Sequence, residues 1–131
     1  MDERTPVLIG AGQFTYRGDP AASPSPTNLL KIAADRAADD AGIGAQGLAG
    51  LDSIVVAPSA IAQPGASRSR GAPFSSNAAA QLGAMVGAKP RWAALSAMGG
   101  NSSQYMINVL AERIAQGETE LGLAVGCEVL G

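Results

Sequence analysis

The stretch from Met98 to Gln104 (MGGNSSQ) holds the residues best suited to form a ligand site. An apolar run precedes it and an apolar-periodic segment follows, so the sequence predicts a strand, a tight glycine turn and the start of a helix. A helix start at the carboxyl edge of a parallel sheet offers free backbone N–H groups and the positive end of the helix dipole. Such a site can bind an anion or polarise a thioester carbonyl. The candidate ligand-binding residues are Gly99, Gly100, Asn101, Ser102 and Ser103.

The simpler interpretation of the same turn is that Asn101 and Ser102 only cap a helix. A nucleophilic role for Ser102 or Ser103 would require a base oriented by a third group. The chain has no histidine, so the base would have to be Lys31, Lys89 or a carboxylate, and none of these lies nearby in the sequence. A serine nucleophile is therefore disfavoured.

A second glycine pair, in Gly10-Ala11-Gly12, follows a short apolar run and invites comparison with dinucleotide-binding loops. That motif needs a third glycine at position 15, where this chain has Thr15, and it needs a helix to begin directly after the turn. Residues 12–26 instead form a loop containing several prolines. We therefore favour close packing and a turn as the role of these glycines over a Rossmann-type nucleotide site.

Two further groups of residues could carry chemistry. Cys127 is the single cysteine, so no internal disulfide and no cysteine-cluster metal site can form. Its apolar neighbours favour a buried structural cysteine over a reactive one. Arg68 and Arg70 could hold a phosphate, but two arginines on a Ser/Gly-rich loop are more often solvated. No metal site is predicted.

The composition limits the class of protein. The 131 residues suffice for one domain, which we predict to be a single segment spanning residues 1–131. Charged residues make up 15% of the chain, against about 25% in typical soluble domains, which suggests that part of its surface is covered by another subunit or further sequence. The net charge of -2 argues against nucleic-acid binding. We expect no signal peptide, no membrane-spanning helix and a cytoplasmic location.

Alternating apolar runs and helical patterns predict an α/β protein with a mainly parallel sheet in the order βαβαβαβ. The predicted strands are residues 7–12, 51–57, 91–97 and 121–127. The predicted helices begin at the N-cap Thr27, at about residue 76, and after the Gly99–Gly100 pair, ending near residues 41, 86 and 116. Residues 59–73 are predicted to be a long Ser/Gly/Pro-rich loop. The strand at 121–127 is apolar on both faces, which is typical of a central strand.

Taken together, several runs resemble the start of a thiolase of the acetyl-CoA acetyltransferase family. They are VLIGAGQ at 7–13, LLKIAADRA at 29–37, DAGI at 40–43 and LDSI at 51–54. The run 109–128, with IAQGE at 114–118 and AVGCE at 124–128, resembles the helix and strand that follow the thiolase nucleophile. The resemblance covers essentially the whole chain but only about the first third of a thiolase.

This resemblance implies a half-domain of the thiolase fold and a role in acyl-CoA metabolism. The position of the nucleophilic cysteine falls on Gly100, and the second cysteine and the two histidines of the family belong to motifs beyond residue 131. It therefore implies a thiolase-like acyltransferase relative that lacks thiolase activity by itself. The implied ligand is a coenzyme A thioester, with no other cofactor.

The resemblance also implies partners. These are a homo-oligomer, with the strand at 91–97 at the dimer interface, or the missing C-terminal part of a thiolase fold. The alternative to a metabolic enzyme relative is a non-enzymatic module that binds an acyl-CoA or a partner protein. The low charge of the chain and the helix start after the Gly99–Gly100 pair are consistent with both.

Overall fold

The structure, a computed structural model, describes residues 4–19, 22, 25–57, 78–95 and 102–126. The predicted loop at 59–73 lies outside the described residues. The elements, in chain order, are α1 (Pro26–Ala41), α2 (Gly44–Gly47), a 3₁₀ turn (Leu48–Gly50), β1 (Ser53–Ala57), α3 (Ala78–Met85), β2 (Trp92–Leu95), α4 (Ser102–Ala115) and β3 (Gly122–Gly126). Within these residues, no helix has the length and apolar character needed to cross a bilayer.

The three strands form one parallel sheet with the order β2-β1-β3. Val55 of β1 lies opposite Ala94 of β2 and Ala124 of β3, so the strands are in register along their whole length. Parallel neighbours joined by helical connections are the pattern expected of an α/β protein. The predicted fold class is therefore confirmed.

Helices cover both faces of this sheet. Because side chains alternate along a strand, Ile54 and Val56 of β1 point to one face and Val55 points to the other. The first face packs against α1 and α3, and the second face packs against α4. The core contains mainly small aliphatic side chains, as the scarcity of aromatic residues predicts. Its most deeply buried members are Leu30, Ala34, Ile54, Val55, Val56, Ala78 and Leu82.

The predicted N-cap of α1 is wrong by two residues. The helix begins at Pro26, and the Ser25 side chain accepts a hydrogen bond from the Asn28 N–H at 3.2 Å. Proline fits the first helical position because its φ is fixed near the helical value and its missing N–H would be unpaired there in any case. Ser25 precedes that proline and is extended, with ψ 158°, which is the conformation of an N-cap. Thr27 therefore lies inside the first turn.

The C-terminal end of α1 is as predicted. Gly42 has φ 79°, which is the left-handed conformation that favours glycine, and its N–H donates to the Asp39 carbonyl at 3.1 Å. The next N–H, of Ile43, donates to the Ala38 carbonyl at 3.1 Å. Two otherwise unpaired helix carbonyls are satisfied in this way.

The prediction of a buried strand at residues 7–12 is wrong. These residues form no regular secondary structure, and Val7, Leu8 and Ile9 are 56%, 81% and 52% exposed. The segment runs along α1 instead, where the Ala11 N–H donates to the Asp40 carboxylate at 2.9 Å. Its backbone therefore lies against a helix and has no strand neighbour among the described residues.

The prediction that the last strand is central also needs correction. In the described sheet β1 is the central strand, with four of its five residues buried. β3 lies at an edge, and only Val125 of its residues is buried. α1 and α4 pack on the two faces of β3 without a second strand neighbour, so an apolar run alone does not identify the central strand.

Candidate functional site

The predicted ligand site is only partly described by the structure. Ser102 and Ser103 are the first two residues of α4, which confirms that a helix begins there. Gly99, Gly100 and Asn101 lie outside the described residues. Their role in binding therefore stays a prediction based on the sequence.

The packing of α4 sets the direction in which its N-terminus points. Met106 and Leu110 are 4% and 8% exposed and pack against Val55 of β1. Arg113, near the C-terminal end of the helix, places its Nε 3.4 Å from the hydroxyl of Ser53, the first residue of β1. The C-terminal end of α4 thus lies at the amino ends of the strands. Its N-terminus consequently lies toward the carboxyl edge of the sheet, which is the edge where α/β proteins bind ligands.

The electrostatics at this N-terminus favour an anion or an electron-rich carbonyl. Backbone N–H groups of a first helical turn have no intrahelical acceptors, and the helix dipole adds the equivalent of about half a positive charge. The first turn of α4 contains no acidic residue that would offset this field. The arrangement can stabilise the negative charge that develops on a thioester oxygen during nucleophilic attack.

A buried polar cluster lies at the opposite end of α4. The hydroxyls of Ser53 and Thr119 are 2.6 Å apart, and these residues are 0% and 2% exposed. The Nε of Arg113 lies 3.3 Å from the Thr119 hydroxyl, its Cζ stands 4.5 Å from the centre of the Trp92 ring, and it pairs with Glu118 at 3.3 Å. This cluster joins α4 to β1, β2 and the segment before β3.

No local pattern in the sequence indicates this cluster. Two signals in the sequence were available: a serine that begins the apolar strand β1, and an arginine in the last turn of α4. Neither signal shows that Ser53 and Arg113 meet, because 60 residues separate them. The cluster holds the C-terminal end of α4 against the sheet. The candidate site lies at the N-terminal end of the same helix.

The glycines at positions 10 and 12 pack tightly, which is the role that the sequence pattern favours. A Cβ atom at Gly10 would lie 2.5 Å from the Ala37 carbonyl oxygen, and one at Gly12 would lie 2.5 Å from the Ala37 nitrogen. These glycines allow the N-terminal segment to lie directly on α1. In the described part of the chain, the first α-helix after these glycines begins at Pro26, so the geometry of a dinucleotide-binding turn is not formed there.

The residues considered as a base for a serine nucleophile are not at the α4 N-terminus. Lys31 lies on α1, on the opposite face of the sheet from α4, and its ammonium pairs with Asp35 at 2.7 Å. Lys89 lies on the connection between α3 and β2. Arg68, Arg70 and Cys127 lie outside the described residues. Within the described ranges, no group of three His, Cys, Asp or Glu side chains is arranged to hold a metal ion.

No protein-family model and no curated protein match the chain by sequence. Solved structures do match. A monomeric SCP2-thiolase-like protein type 1 from Mycobacterium smegmatis is 31% identical, with TM-score 0.73, over 95% of this chain and 24% of its own. An acetyl-CoA acetyltransferase from Syntrophomonas wolfei is 22% identical, with TM-score 0.63, over 90% and 27% of the two chains. A 3-oxoacyl-[acyl-carrier-protein] synthase III from Aquifex aeolicus is 20% identical, with TM-score 0.58, over 81% and 30%.

These three proteins share the thiolase-like fold, and this chain spans about a quarter of the length of each. The two less similar structures agree in fold alone, whereas the Mycobacterium smegmatis protein is also the most similar of the three in sequence. The resemblance to thiolases found in the sequence is thus confirmed at the level of the fold: this chain forms part of a thiolase-like half-domain.

Proposed function

We propose that this chain is a thiolase-like component of acyl-CoA metabolism that binds a coenzyme A thioester at the N-terminus of α4 and does not catalyse thiolase acyl transfer by itself. The observation that carries the proposal is the 31% identity to an SCP2-thiolase-like protein over 95% of this chain. Because the chain spans 24% of that protein, the thioester ligand and the metabolic role are proposed and are not shown by the similarity.

The lack of thiolase activity follows from the chemistry that acyl transfer requires. The reaction forms an acyl thioester on an attacking thiolate, which needs a cysteine at the site and groups that move protons. The chain has no histidine, and its one cysteine, Cys127, directly follows β3. Gly100, which the resemblance aligns with the nucleophile, has no side chain that could attack.

The ligand-binding role rests on the start of α4. Backbone N–H groups from Gly99 to Ser103 would donate to the thioester oxygen or to a phosphate of coenzyme A. This role requires no nucleophile, so it is compatible with glycine at position 100. The absence of acidic residues from the first turn of α4 supports binding of an electron-rich group.

The alternative function is a non-enzymatic module that binds a partner protein. Exposed apolar side chains, Tyr105 and Ile107 of α4 among them, favour this alternative because they offer surface for association.

As partners we propose a second copy of the chain, pairing through β2, or the C-terminal part of a thiolase-like fold. β2 lies at an edge of the described sheet, which supports the first. We also propose a cytoplasmic location.

The proposed function is tested by incubating the full chain with acetyl-CoA and with acetoacetyl-CoA. We expect no release of free coenzyme A, no acetylated protein by intact mass spectrometry, and saturable binding of coenzyme A by calorimetry. Turnover or an acetyl adduct would refute the lack of activity. Absence of coenzyme A binding, together with a stable dimer in sedimentation at two protein concentrations, would favour the alternative.

A further inference from the structure

We draw no further inference here: the strongest candidate, the cavity of about 520 Å³ between the N-terminal segment, the C-terminal end of α4 and the amino end of β3, lies against the outer edge of the sheet in a chain that spans about a quarter of the length of the structures it matches, and nothing in the structure shows what covers it.

Discussion

The guanidinium group of Arg113 on α4 stacks over the ring of Trp92 on β2, with its Cζ 4.5 Å from the ring centre. The Nε of the same side chain lies near the hydroxyls of Ser53 and Thr119. One arginine therefore connects α4 to β1, to β2 and to the segment before β3. The candidate ligand site lies at the opposite end of this helix. The position of that site therefore depends on how firmly Arg113 and its partners hold the helix on the sheet.

The hydroxyl pair of Ser53 and Thr119 gives a first prediction. Thr119→Val keeps the shape of the side chain but removes one partner of a buried hydroxyl, so it should lower the free energy of unfolding by about 1–3 kcal/mol. Ser53→Ala should cost a similar amount. The double variant should cost less than the sum of the two, because each single variant already loses the contact between the two hydroxyls.

Urea unfolding followed by Trp92 fluorescence measures these changes. The exposed Gln116→Ala substitution, one turn away at the end of α4, is the control and should change stability by less than about 0.5 kcal/mol. Strictly additive losses in the double variant would show that the 2.6 Å contact does not couple the two residues.

The close packing of the N-terminal segment gives a second prediction. Gly12→Ala places a Cβ 2.5 Å from the Ala37 nitrogen and 2.7 Å from the Arg36 Cβ, so the segment must move away from α1. We expect a loss of about 1–3 kcal/mol in the free energy of unfolding, as for overpacked sites. Gly50→Ala is the matched control, because no atom lies within 4 Å of a Cβ built there. Equal stability of the two variants would contradict the packing of residues 10–12 on α1.

The corrected N-cap of α1 gives a third prediction. Ser25→Ala removes the acceptor for the Asn28 N–H and should lower stability by about 1 kcal/mol. Thr27→Ala, in the first helical turn, should cost much less. Thermal unfolding of both variants checks this, and the reverse order of effects would restore Thr27 as the cap.

The errors in the sequence predictions have separate physical causes. An apolar run is compatible with a central strand, with an edge strand between helices, and with a segment that lies on a helix and forms no strand, as residues 7–12 do. Helices pack on both faces of the apolar run of β3, so its sequence pattern resembles that of a central strand although β1 holds that place. The choice between Ser25 and Thr27 depended on Pro26, which fits only the first helical turn.

What the sequence predicted well is local. The parallel α/β class, β1 to within two residues, and the glycine that ends α1 follow from short sequence patterns and from the preference of helix ends for glycine. The Arg113 cluster is formed by residues that are far apart in the sequence. A single sequence carries no local pattern for such contacts.

The positive electrostatic potential at the N-terminus of α4 gives the last prediction. This prediction rests on the proposed function. Ser103→Asp adds a carboxylate to the first turn of α4, where it interacts favourably with the helix dipole, so the protein should become slightly more stable, by about 0.3–1 kcal/mol. The same carboxylate should repel the phosphates of coenzyme A and weaken its binding about tenfold, or about 1.4 kcal/mol.

Ser103→Asp should raise stability and lower the affinity for coenzyme A. Because the two changes have opposite signs, the loss of affinity cannot be due to a loss of folded protein. Gln116→Asp, just past the C-terminal end of α4, is the matched control. It adds the same charge at the unfavourable end of the dipole, so it should lower stability slightly and leave coenzyme A affinity unchanged. Calorimetric titration with coenzyme A and thermal unfolding of the three proteins measure both effects. Equal affinity of the Ser103→Asp variant and the unaltered chain would remove the α4 N-terminus from the binding site.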